Sequence, residues 1–104
     1  MMKRENKFRA WNSIVMVYQD FPKGGLTAGE ILKRFDNVMQ FTGLLDKNGK
    51  EIYEHDFIKW EGGLIEEIKW ENSGWNQDDI GAKHSEVIGN IYENSELIKN
   101  YNLE

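Results

Sequence analysis

The chain has 104 residues, of which 39% are hydrophobic and 30% charged, with a formal net charge of −5 and no cysteine. That length suits one domain, residues 1–104, with one modest core; the lack of thiols excludes a disulfide framework, a cysteine-ligated zinc site and a cysteine nucleophile. No apolar run approaches the roughly 20 residues a membrane-spanning helix needs, and a negative balance repels duplex DNA unless basic side chains are segregated, because affinity there rests on neutralising phosphates.

The basic opening runs into Phe8-Arg9-Ala10-Trp11, which is not a secretory apolar core, so the expected location is the cytoplasm. Lys3, Arg4, Lys7 and Arg9 form the single basic cluster, a thin basis for nucleic-acid binding. The acidic balance fits a partner with a basic surface better, although solubility alone accounts for it. Residues 8–18 read as strand, rich in β-branched and aromatic side chains, with Asn12-Ser13 as an interrupting turn. Pro22 and Gly24-Gly25 mark a loop. Thr27 and Glu30 then make a capping box ahead of Ile31, Leu32 and Phe35, which predicts a short helix over 28–36.

Residues 38–45 read as strand again. Asp46-Lys47-Asn48-Gly49 is a turn, since Asn-Gly supplies the positive φ angles of tight hairpins, and residues 50–53 return as its partner. Glu54-His55-Asp56 breaks the pattern before a strand over 57–60. Gly62-Gly63 turns the chain into a strand over 64–70, with Leu64, Glu66, Ile68 and Trp70 on one face by period two. Residues 71–85 read as a polar loop, 86–92 as strand, and 95–101 as a terminal helical turn. Short strands joined by glycine turns predict a mostly β fold, a small SH3-like barrel or meander. Val87 and Ile91 face opposite to Ile88 and Tyr92, so that last strand is apolar on both sides and needs cover from the helix or from a second copy of the chain.

The candidate chemistry is sparse. His55-Asp56 and His84 with Glu86 are the histidine–carboxylate neighbourhoods; Glu66 or Asp78 would have to complete a zinc site, and a metal-dependent hydrolase built on them is the least strained enzymatic reading. The plainer reading has both histidines on the surface or in turns and Asp56 anchoring a turn through local amides. Asp78-Asp79 lacks the alternating ligands of a calcium loop and reads as solvated. Glu66 and Glu67 point to opposite faces of a strand, and no nucleophile elbow or P-loop is present. Trp11, Trp60 and Trp70 lie in strand-like segments and read as core or barrel wall. Trp75 sits among polar residues, so it either folds back to cap the core, the favoured reading, or is displayed as an interface anchor. Trp60 with Lys59 and Lys69 is the set that would stack bases in a nucleic-acid-binding barrel.

Three ordered blocks carry a family resemblance. Met39-Gln40-Phe41-Thr42-Gly43-Leu44-Leu45-Asp46-Lys47-Asn48-Gly49-Lys50-Glu51-Ile52-Tyr53-Glu54-His55-Asp56-Phe57-Ile58, Val87-Ile88-Gly89-Asn90-Ile91-Tyr92-Glu93-Asn94-Ser95-Glu96-Leu97 and the opening Lys7-Phe8-Arg9-Ala10-Trp11 closely resemble the YopX family. The resemblance implies a small, mostly β protein encoded by phages and prophages of Gram-positive hosts, and it implies no activity and no catalytic residues. The family usually has glycine where His55 stands, so a positive-φ turn there would strain His55 modestly. It often has proline where Ser95 stands, and serine is a good helix cap. The expectation is a non-enzymatic phage accessory protein without cofactor or metal: a self-assembling protein-binding module using Trp75, Trp60 and Trp70, with copies of itself and a host or phage protein as partners. A nucleic-acid-binding small β-barrel is the alternative.

Overall fold

The computed structural model of the chain describes residues 6–21 and 37–100. β1 (Asn6–Trp11) and β2 (Met16–Phe21) form a hairpin. The expected turn is there, built by Asn12: its Oδ1 accepts from the amides of Ile14 at 2.9 Å and Val15 at 2.8 Å, while Ser13 takes a φ of 77°. The helix expected over 28–36 and the Gly24-Gly25 loop lie outside the described residues. β1 pairs on its other side with β3 (Val38–Leu45), and β3 with β4 (Glu51–Tyr53), giving the antiparallel order β2-β1-β3-β4.

The chain then turns a corner at His55 and enters a second sheet of β6 (Ile65–Glu67), β5 (Asp56–Trp60) and β9 (Ser85–Asn90), with β5 central. Together the sheets curl into half a barrel, so the mostly β, barrel-like expectation is borne out. Ile52, Ile58, Ile68 and Ala82 form a core cluster, with Leu44, Trp60, Trp75 and Val87 packed around it. Met39 and Phe57 are also fully enclosed. Each of the fully enclosed Ile, Met and Phe side chains contributes about 1.5–3 kcal/mol through burial.

Two expectations are corrected. The strand over 64–70 ends at Glu67, because Ile68 turns to bond the corner: its N–H donates to the Asp56 carbonyl and its carbonyl accepts from the His55 N–H, both at 2.8 Å. The face shared by Leu64, Glu66, Ile68 and Trp70 is therefore not formed. Ile65 and Ile68 are buried, whereas Leu64 and Trp70 are 66% and 48% exposed. Nor is the stretch 71–85 a plain loop. It holds the returning half of a small hairpin, β7 (Trp70–Glu71) with β8 (Gly74–Trp75), and a helical turn α1 (Asp79–Ala82). The expected terminal turn is α2 (Glu96–Asn100), which begins directly after Ser95.

Candidate functional site

A cleft of about 410 Å³ opens where the first sheet meets the end of β9, with Arg9, Tyr18, Tyr53, Asp56 and Asn90 in its walls. Arg9 is buried and donates through Nη2 to Asp56 Oδ1 at 2.7 Å and to the Glu54 carbonyl at 3.3 Å, with its guanidinium 4.7 Å from the centre of the Tyr53 ring. Asp56 Oδ2 accepts from the Tyr53 amide at 2.8 Å. Asp56 thus anchors its turn as expected and also neutralises a cation 47 positions away. Burial lifts its carboxyl above the usual range, against the opposing pull of Arg9 and the Tyr53 amide. Tyr53 sends its hydroxyl to Glu51 at 3.3 Å, and burial, then the Glu51 charge, push its pKa well up. Half-exposed Tyr18 meets the Tyr53 ring edge-on at 5.6 Å.

The charged groups of this cleft are largely committed to one another. Glu51 holds Lys7 as well as Tyr53, and Glu93 accepts from Asn90 Nδ2 at 2.7 Å. Of the basic cluster, Arg9 is buried and Lys7 ion-paired, so neither is displayed for phosphate; Lys3 and Arg4 lie outside the described residues.

The histidines do not converge. His55 Nδ1 sits 2.7 Å from Glu67, and His84 Nδ1 sits 3.3 Å from Glu61. Glu66 accepts the Trp60 indole N–H at 2.7 Å, and Asp78 caps α1 by accepting from the Gly81 amide at 2.8 Å. Glu66 and Glu67 thus serve different partners. Among the described residues no group of three or more His, Asp or Glu side chains can hold a metal ion.

The three singled-out tryptophans have distinct places. Trp60 is half-buried against the core with its indole on Glu66. Trp75 folds back onto the same core, where its indole N–H is buried without a partner. Trp70 is on the surface, which corrects its reading as core or wall. The turn Asn72-Ser73 has φ angles of 50° and 67°, the two successive positive values of a type I′ hairpin, and it sets Trp70 opposite Trp75. The rings meet edge-on at 4.9 Å. Asn76 clamps the hairpin base: its Oδ1 accepts from the Lys69 amide at 2.9 Å and its Nδ2 donates to the Glu67 carbonyl at 2.8 Å.

Sequence reasoning missed two polar pins beside the cleft. Buried Asp46 accepts from the amides of Asn48 and Lys50 through Oδ1 and from that of Val87 through Oδ2. Asn90 Oδ1 accepts from the amides of Tyr92 and Glu93, and Asn94 Oδ1 accepts from the Asn90 amide. The Asx-turn pattern was the signal available for the local bonds. These pins, with His55 at a φ of 68°, account physically for much of the two longer motif blocks.

Comparison with known proteins agrees with this reading of the motifs. The family model described as YopX protein matches residues 23–99. Among solved structures, protein EF1440 from Enterococcus faecalis is similar, with 25% identity, a TM-score of 0.50, and coverage of 89% of this chain and 74% of that one. No curated protein matches. The motif blocks, the half-barrel they fold into and the match over residues 23–99 place this chain in the YopX family.

Proposed function

We propose that the chain is a non-enzymatic, self-assembling protein-binding module, a phage or prophage accessory protein working in the cytoplasm of the bacterial host. The observation that carries the reading is Trp70. A large aromatic side chain is displayed on a hairpin held by a type I′ turn, by the Asn76 clamp and by Trp75 packed on the core. Rigid aromatic anchors of this kind dominate binding energy at protein interfaces. The committed charges of the cleft argue against acid–base chemistry there. A net charge of −5 favours a partner with a basic surface over nucleic acid. Engagement of Trp60 with the core and with Glu66 makes it a poor base-stacking platform. Ile14, Val15 and Tyr18, exposed along the first hairpin, support self-assembly.

The test is capture from infected and uninfected host lysates, with nuclease treatment, by the wild-type chain and by Trp70→Ala. The expected outcome is a protein partner that survives nuclease and is depleted at least tenfold by Trp70→Ala, with the circular dichroism of the variant unchanged. Recovery of nucleic acid alone, or capture indifferent to Trp70, would remove the reading.

A further inference from the structure

Four strands end the two sheets: β2 and β4 in the first, β6 and β9 in the second. Open edges invite pairing with another chain, and proteins guard them by shortness, by charge or by cover. β4 and β6 are three residues long each. β9 is longer, but its backbone groups are taken: Asp46 Oδ2 accepts from the Val87 amide at 2.9 Å, Asn94 Oδ1 from the Asn90 amide at 3.1 Å, and the Ser85 carbonyl from the Lys47 amide at 3.0 Å. β2 is built otherwise. It runs six residues, Met16-Val17-Tyr18-Gln19-Asp20-Phe21, with Asp20 as its one charge and without proline or a break in register, and no described strand pairs with its outer side.

The register shows which groups that edge presents. The Asn12 N–H donates to the Val15 carbonyl, so by antiparallel alternation Val15, Val17, Gln19 and Phe21 turn their backbone groups toward β1. Met16, Tyr18 and Asp20 therefore turn N–H and C=O outward. Antiparallel self-pairing centred on Tyr18 matches every one of them: Tyr18 meets its own copy, and Met16 and Asp20 meet each other across the two-fold axis. Centring the pair on Val17 or on Gln19 loses one of these matches. The same register puts exposed Val15 opposite Phe21 of the second copy and sets the two half-exposed Tyr18 side chains beside each other, a favourable cross-strand pair. We propose that a second copy of the chain docks antiparallel on β2, centred on Tyr18, and joins the two four-stranded sheets into one of eight strands. The proposal rests on the self-assembly reading above and names its surface.

The natural chain has no cysteine, so single thiols report geometry cleanly. At the two-fold, Cα atoms of a hydrogen-bonded pair lie about 5.5 Å apart, inside the disulfide range of about 4.4–6.8 Å. Position 16 lies roughly 13 Å along the strands from its own copy. Under mild oxidation Tyr18→Cys is expected to form covalent dimer at least tenfold faster than Met16→Cys. Met16→Pro, which deletes an outward N–H that β1 does not use, is expected to sediment as monomer at concentrations where the wild type is dimeric, with unchanged circular dichroism. Equal cross-linking rates in chains that still associate, or a Met16→Pro variant that stays dimeric, would overturn the β2 contact while leaving self-assembly standing. A wild type monomeric across the whole concentration series would overturn both.

Discussion

The corner around Asp46 and Asp56 and the hairpin around Trp70 are built on opposite terms. The corner buries carboxylates: Asp56 is 1% exposed and Asp46 4%. Each is satisfied by backbone amides, and Asp56 by Arg9 as well. The hairpin does the reverse and leaves Trp70 half in water beside a partly buried neighbour, Trp75. Buried polar atoms must find their partners or lose their hydration without compensation, so the corner specifies one chain path and tolerates little change. An aromatic ring held on one edge by Trp75 and open on the rest constrains the fold less, and its open surface is available to another molecule. Stability should therefore respond most steeply at the corner, and binding most steeply at the hairpin.

The sharpest way to break this contrast is Asp56→Ala. It leaves Arg9 charged and enclosed, and removing one partner of a buried pair costs about 3–5 kcal/mol. Urea titration should show that loss, whereas the double variant Arg9→Met/Asp56→Leu, which replaces the pair by apolar volume, should recover the part due to the unpaired guanidinium but not the part due to the Tyr53 amide, which still lacks the acceptor that Asp56 Oδ2 supplied. If the single and double variants are equally unstable, the pair's charge is not what the corner depends on.

Next in size is Gly89→Ala. A Cβ at Gly89 would lie 2.4 Å from Asn94 Oδ1 and 2.9 Å from its Cβ, so the whole Asn94 side chain must leave and release the Asn90 amide it accepts from. Overpacking of this kind costs about 1–3 kcal/mol. Adding Asn94→Ala should make the second change cheaper than it is in the wild type, a coupling that a double-mutant cycle reads directly. Additive costs would mean that Gly89 is not there to admit Asn94.

Alkali probes the same cleft. Burial, then Glu51, raises the Tyr53 pKa, and burial, then Glu54, raises that of Tyr92. The folded chain therefore holds these protons more tightly than the unfolded chain does. That preference contributes stability which is fully present below about pH 10 and is lost as the pH rises through the folded-state values. Tyrosinate absorbance should thus lag in the folded protein and appear together with the loss of circular dichroism. In Tyr53→Phe the lagging fraction should shrink. Ionisation of every tyrosine before the fold is lost would show that the cleft does not shield Tyr53.

How much of this was legible in the sequence follows from the range of each interaction. The turns at Asn12-Ser13, Asp46–Gly49 and Gly62-Gly63 are written in adjacent residues and were read correctly. The strain at His55 was visible through the family pattern. The Arg9–Asp56 pair and the reach of Asp46 to Val87 cross more than forty positions and leave no local mark. The hairpin at Asn72-Ser73 escaped because two non-glycine residues adopt positive φ there, while the neighbouring glycine, Gly74, lies in the returning strand rather than in the turn. Period two misplaced Trp70 because one backbone exchange at Ile68 broke the strand that the alternation assumed.

The smallest expected effect is also the one of opposite sign. His55 holds a φ of 68°, a conformation that costs a side chain with a Cβ and costs glycine little. Its Nδ1 hydrogen-bonds Glu67 at 2.7 Å, with the two side chains 30% and 14% exposed, and a typical hydrogen bond contributes about 0.5–1.5 kcal/mol net. His55→Gly exchanges that modest pair for relief of the backbone, while greater freedom of the unfolded glycine offsets part of the gain. The expected net is a stabilisation of about 0.5 kcal/mol, a rise of a few degrees in Tm for a domain of this size. His55→Ala keeps the strain and loses the pair, so it should be less stable than both the wild type and the glycine variant. If alanine and glycine at position 55 melt together, positive φ is not the constraint at this corner, and the contact with Glu67 is what holds the turn.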